Sequence, residues 1–218
     1  MRFHQPCVMF RPIGLLISFG LLASPGRVIN FDTYSPGKTP PGWTFAATNR
    51  GGPARWEVVK DQTAPTPPYV LAQTSSEAVR DRFPIAILDG ISLRDGDVSV
   101  RIKPVSGNED QGGGLVWRYR DPNNYYLVRA NAMNNSIAVF KIQDGRRSVL
   151  RSGVRHDIPL NRWSLLKVSA RGPRFQIYVD HRRVMEGQDS TFTESGKVGL
   201  LTLTDSVMYF DDFRVYPK

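Results

Sequence analysis

The sequence predicts an all-β chain folded as one antiparallel two-sheet sandwich, and three observations predict it. Short runs of β-branched and aromatic residues recur along the 218 residues, separated by turn formers at spacings typical of a sandwich. Nineteen glycines and sixteen prolines lie between those runs, and no window of eleven or more residues keeps a helical period free of both. No repeat and no domain-sized linker divides the chain, whose composition of 40% hydrophobic and 22% charged residues suits one domain with a real core.

Val28 to Asp32 reads as a first strand, and Pro36 to Trp43, rich in proline and glycine, as an exposed loop. Trp56 to Lys60 and Tyr69 to Gln73 are strands around a proline-rich turn, and Phe83 to Leu88 is the next. In Gly96 to Lys103, Val98, Val100 and Ile102 alternate with Ser99, Arg101 and Lys103, the mark of a half-buried strand. Ser106 to Gly113, polar and glycine-rich, is expected to form a mobile rim loop. Downstream, Ile137 to Ile142, Ser148 to Leu150, Trp163 to Ala170, Phe175 to Val179, Val184 to Glu186, Lys197 to Leu203 and Val207 to Val215 bring the total to about fourteen strands. Asn134-Asn135, Asp144-Gly145 and Gly172-Pro173 supply turns between them.

The most informative stretch is Gly112 to Ala132, GGGLVWRYRDPNNYYLVRANA, a hairpin closed by Asp121-Pro122-Asn123-Asn124. With Arg120 opposite Tyr125, Leu115, Trp117, Tyr119, Tyr126, Val128, Ala130 and Ala132 share one face, suited to a core. Arg118, Arg120, Tyr125, Arg129 and Asn131 share the other with Val116 and Leu127. If Met133 stands opposite Ser136, Phe140 joins that second face beside Arg129. Arginine offers planar, fixed donors for hydroxyl and carboxylate oxygens, and an aromatic ring offers a platform for a pyranose. Arg118, Arg120, Tyr125, Arg129, Asn131 and Phe140 are therefore the candidate sugar-binding residues. The competing reading is a cross-strand ladder in which the arginines stack on Tyr125 and Phe140 for stability alone.

The net charge is +9, and 22 of 29 basic residues are arginine. Such a balance fits nucleic acid, anionic lipid, acidic polysaccharide or simply a solvated surface. Residues 1–26 read as a secretory signal, with Arg2 and Arg11 ahead of an apolar run from Ile13 to Ala23 that is too short to span a bilayer. An uncleaved anchor or a buried first strand is the alternative, and Met9 is an alternative start. On the signal reading, residues 27–218 form the mature domain, with no stable membrane span and, since the one cysteine is Cys7, no disulfide or thiolate site. Export, to the periplasm or the medium, removes nucleic acid as a partner.

Several segments together carry a family resemblance: the hairpin above, RWSLLKVSARGPRFQIYVD, GKVGLLTLTDSV and YFDDFRV. They resemble the concanavalin A-like jelly roll of the 3-keto-disaccharide hydrolase family, a signature that shades into laminin G-like and glycoside hydrolase family 16-like domains. The resemblance spans about Phe31 to Val215 and implies an exported, sugar-related domain with a concave ligand face. It requires no cofactor for activity but implies a structural calcium near the paired termini, with Asp32 and Asp211 as candidate ligands. The same residues fit a plainer role, as strand caps or as partners of Arg214.

Sugar hydrolysis needs two carboxyl groups flanking the scissile bond. The family 16 pattern of acids at alternate strand positions is absent, and the equivalent hairpin positions carry arginine. Glu109 and Asp110 of the rim loop are the carboxylates nearest to hand, and the catalytic residues are not specified by the sequence. His156 and His181 lie in polar loops without a partner in a triad or zinc site, and no phosphate-binding glycine loop opens a helix. Two functions remain: carbohydrate binding with or without hydrolysis of a modified disaccharide, and a non-enzymatic laminin G-like domain contacting a protein or envelope polymer.

Overall fold

The structure is a computed structural model, and it describes Met1, residues 26–49 and residues 54–218. The signal-like run from Ile13 to Ala23, Cys7 and His4 lie outside the described residues. Fifteen strands, and among the described residues no helix, form two antiparallel sheets, so the sandwich expected from the sequence is the fold.

One sheet runs β13 (Arg182–Gln188), β12 (Arg174–Val179), β11 (Ser164–Arg171), β6 (Gly96–Ser106), β15 (Val207–Pro217), β4 (Tyr69–Gln73), β3 (Trp56–Lys60), with β1 (Arg27–Ile29) also paired to β15. The other runs β10 (Arg146–Arg155), β9 (Ser136–Gln143), β8 (Asn124–Asn131), β7 (Gly112–Asp121), β14 (Lys197–Thr202), β5 (Phe83–Leu88), β2 (Trp43–Thr48). Strict alternation sets which face is inside. In β11, Leu166, Val168 and Ala170 are buried while Leu165, Lys167 and Ser169 between them are half-exposed, and β6 alternates in the same way over Val98, Val100 and Ile102. Each such aliphatic contributes about 1.5–3 kcal/mol on burial. Aromatic pairs tie the layers: Trp43 meets Phe213 edge-on at 5.3 Å, and Trp117 meets Phe175 of the opposite sheet at 6.0 Å.

The expected bounds of β3, β4 and β5 agree with the structure to the residue. Strand β2 was not foreseen. Its sequence, WTFAAT, leaves a proline-rich loop directly, and four of its six residues are small or polar, so its period is faint. It takes its place by pairing along β5, from Trp43 with Leu88 to Thr48 with Phe83.

Candidate functional site

The central hairpin is β7 and β8, and its register differs from the expected one by two residues: Trp117 pairs with Tyr126, Val116 with Leu127 and Leu115 with Val128. A shift of two leaves every side chain on its face. Leu115, Trp117, Tyr126, Val128 and Ala130 therefore pack between the sheets, and Val116, Tyr125 and Leu127 lie on the outer face of the seven-stranded sheet. The turn into β9 is also displaced, with Ser136 opposite Asn131 rather than Met133, and again parity survives: Phe140 lies on the outer face.

Parity fails at the hairpin tip. Asp121 pairs with Asn124, and the extra residues between Trp117 and Asp121 form a bulge in which Arg118 adopts φ 48°. A Cβ at Gly196 would stand 2.5 Å from the Arg118 carbonyl carbon, so a glycine is what admits the bulge there. Three expectations change in consequence. Tyr119 lies on the outer face, its ring 5.8 Å from that of Tyr125, instead of in the core. Arg118, 2% exposed, turns away from the outer face and donates to the carbonyls of Phe192 (2.6 Å), Arg94 (3.1 and 3.2 Å) and Gly172. Arg120 is exposed over the Phe192 ring at 5.0 Å. Neither arginine belongs to the expected sugar face.

On that face, apolar side chains of five strands form a second buried cluster, among them Phe83, Ile85, Val116, Leu127, Phe140 and Leu201. Tyr125 is part of this floor. It is fully buried, its hydroxyl lies 2.6 Å from Thr48 Oγ1, which donates to the Pro122 carbonyl, and burial pushes its ionisation far up. Phe140 is no bare platform either: guanidinium carbons of Arg129 and Arg147 lie 5.5 and 5.4 Å from its ring centroid.

The polar groups gather at the Gly112 end of β7. Asn131, 3% exposed, donates through Nδ2 to Asp110 Oδ1 at 2.6 Å. A side chain at position 112 would intrude, its Cβ falling 2.9 Å from that same oxygen. The rim loop carrying Asp110, expected to be mobile, is anchored by Asp205, whose carboxylate accepts the amides of Asn108, Glu109 and Asp110. Burial opposes ionisation of Asp205, and those amides outweigh it, so its pKa is lowered. Beside this loop stands half-buried Arg129. It donates from Nη2 to Ser136 Oγ at 3.0 Å, while its buried Nε has no partner among the described residues. Burial lowers the Arg129 pKa and raises that of Asp110, more than their mutual attraction restores.

Arg129, Asn131 and Phe140 thus share the face the sequence predicted, whereas Tyr125 is buried toward the hairpin tip, against Thr48 and Tyr119. Arg147 and Ser136 were missed as members. Arg147 was findable, since the Asp144-Gly145 turn sets it opposite Ile142, on the Phe140 side.

At the paired termini, Asp211 is fully buried. Its oxygens accept the amides of Thr66 (3.0 Å) and Asp212 (2.7 Å), and burial, followed by the charges of Asp212 and Asp32, pushes its pKa up to about 7. Asp32 accepts the Tyr69 amide at 3.0 Å, and Arg214 pairs with Asp212 at 3.4 Å, not with Asp211. Among the described residues, no group of three or more acidic, histidine or cysteine side chains is placed to hold a metal.

The fold is the jelly-roll sandwich shared by carbohydrate-binding modules and lectins. No family model matches the chain, so the expected membership in the 3-keto-disaccharide hydrolase family finds no support there. In sequence it is 37% identical over 95 residues to a levanase of Bacillus subtilis, a match covering 43% of this chain and 14% of that enzyme. In structure it is similar to the carbohydrate-binding module CBM66 of Bacillus subtilis, with TM-score 0.63, 26% identity and coverage of 79% of this chain and 94% of that one. It also shares its fold with the exoplasmic/lumenal domain of VIP36, solved with Ca2+ and Man3GlcNAc, at TM-score 0.55 and 14% identity over 82% of this chain and 84% of that one. Among the described residues no helix is long and apolar enough to cross a membrane.

Proposed function

We propose that this chain is a non-catalytic carbohydrate-binding domain that holds a sugar residue at the Arg129, Asp110 and Asn131 end of the outer sheet face, with Arg147 at its edge. The observation that carries the reading is Arg129: half-buried, fixed over Phe140, with a buried Nε donor that has no acceptor among the described residues. A buried donor left unpaired costs about 1–3 kcal/mol, which a ligand oxygen would recover. Sugar hydroxyls both donate and accept, and the cluster offers arginine donors beside the Asp110 carboxyl, whose pKa burial raises.

Similarity to the binding module supports a carbohydrate ligand, and similarity to the levanase makes levan, a fructan, the first to try. Binding is favoured over hydrolysis because Asp110 is the carboxyl in contact with this cluster, and its neighbour Asp205 is engaged by three backbone amides. Titration calorimetry with levan, inulin and arabinan tests the proposal, with Arg129→Ala and Asp110→Asn expected to weaken the bound fructan about tenfold or more. Fructan binding that survives both changes would refute it. Binding only to a protein or a non-sugar envelope polymer would favour the laminin G-like alternative, and turnover of a 3-keto-glycoside would favour the hydrolase.

Export on the signal at residues 1–26 belongs to the same reading and is tested by locating the processed chain outside the cytoplasm. A structural calcium on Asp32 and Asp211 is proposed by analogy with the fold. A calcium titration that leaves the melting temperature unmoved would remove it.

A further inference from the structure

We infer a second saccharide site, for sugars bearing a carboxylate or sulfate group, in the cleft where the edge strands β10 and β13 of opposite sheets meet. It is distinct from the Arg129 cluster and does not rest on it. The cleft has a volume of about 480 Å3, within the range of small-ligand pockets and of the size of one or two sugar rings.

Its floor is apolar and its walls are cationic. Phe175, backed by Trp117 at 6.0 Å, meets Gly187 across the β12–β13 pairing. Gly187 lets the Phe175 ring and the Arg151 stem pack close against the β13 backbone, since a Cβ there would lie 2.5 Å from the ring and 3.1 Å from Arg151 Cγ. The stem of Arg151 thus reaches across from β10, and Arg174 enters from β12.

The charges around this floor are unequally matched. Arg171 is engaged by Asp97 Oδ1 at 2.8 Å and by the Gly96 carbonyl at 2.7 Å. Glu186 pairs with Arg183 at 3.1 Å. Arg151 and Arg174 have neither an ion pair nor a side-chain hydrogen bond among the described residues, so two guanidinium groups with free forked donors flank the cleft. Ser169, Gln176 and Gln188 add neutral polar groups suited to hydroxyls.

A planar carboxylate or a sulfate accepts bidentately from guanidinium, and a neutral sugar presents no such group. The net charge of +9 would also draw polyanionic chains toward the protein at low ionic strength. A sugar ring seated in the cleft beside Phe175 and Gly187, with its anionic substituent between Arg151 and Arg174, meets both unpaired guanidinium groups.

Calorimetry with a galacturonate trisaccharide, a sulfated disaccharide and neutral levan tests this site, using the full chain and the R151A/R174A double variant. Both arginines are exposed, so the variant is expected to fold, which an unchanged melting temperature verifies. At least one anionic sugar should bind the parent, weaken with rising salt, and lose about tenfold or more in affinity in the double variant. Which of the two binds separates carboxylate from sulfate recognition. Levan binding should be indifferent to R151A/R174A. The inference is overturned if neither anionic sugar binds, if the double variant binds them unchanged, or if their binding is lost in R129A instead.

Discussion

Arg118 and Arg129 occupy paired strands of one hairpin, and they do opposite things. Arg118 is 2% exposed and donates to three backbone carbonyls from three separate loops, with the Asp95 carboxylate 3.5 Å from its Nη2. Among the described residues, half-buried Arg129 has one side-chain hydrogen-bond partner, and its Nε has none. A guanidinium satisfied by acceptors of its own chain is a structural clamp, whereas one left short of acceptors in a desolvated setting is the kind that the proposed sugar would complete. Residue type and strand position alone do not distinguish them.

The largest effect should follow from Arg118→Ala. The carbonyls of Arg94, Phe192 and Gly172 would lose their donor together, and a buried acceptor without a partner costs about 1–3 kcal/mol. A loss of roughly 3 kcal/mol or more in urea unfolding is expected. A loss under about 1 kcal/mol would break the contrast by showing that the clamp is not needed.

Next in size is a pH effect at the paired termini. The folded pKa of Asp211 lies near 7, above its ordinary value of 3.8, so the folded state binds the extra proton between those limits. Stability from this group is full below about pH 4 and is lost as the pH rises through 7. In calcium-free buffer, thermal unfolding should show a decline from pH 4 to 7.5 that Asp211→Asn flattens. Asp205, with its lowered pKa, acts in the opposite sense, its contribution disappearing as the solution is acidified below the normal carboxylate range.

Arg129→Ala should reverse the balance seen for Arg118. Fructan affinity should fall about tenfold or more, while unfolding free energy shifts by no more than about 1 kcal/mol. Equal losses in both would place Arg129 in the ladder and not in a binding site.

Much of this arrangement was legible from residue alternation. The inward set of Leu115, Trp117, Tyr126 and Val128 and the outward set of Tyr125, Leu127, Arg129 and Phe140 follow from a period of two, which tolerates a register error of two. The bulge was not legible. It depends on Arg118 entering the left-handed region and on the close passage of Gly196, a residue nearly eighty positions away. The role of Asp205 was hidden for the same reason, because its three amides belong to a loop distant in sequence. Local alternation decides faces, and long-range backbone contacts decide which polar side chains on those faces have partners.

Arg120 gives the smallest expected effect and the sharpest control on this distinction. It lies two residues from Arg118 and was assigned with it to the sugar face, yet it is exposed, stacked over Phe192. It has no side-chain hydrogen bond among the described residues, so its removal strands no buried acceptor and takes nothing from the Arg129 cluster. Exposed cation–π contacts contribute about 0.5–1 kcal/mol. Arg120→Ala should therefore cost at most about that much in urea unfolding and leave fructan affinity unchanged. A tenfold loss of binding in Arg120→Ala would return the ligand to the hairpin tip and displace it from the Gly112 end of β7.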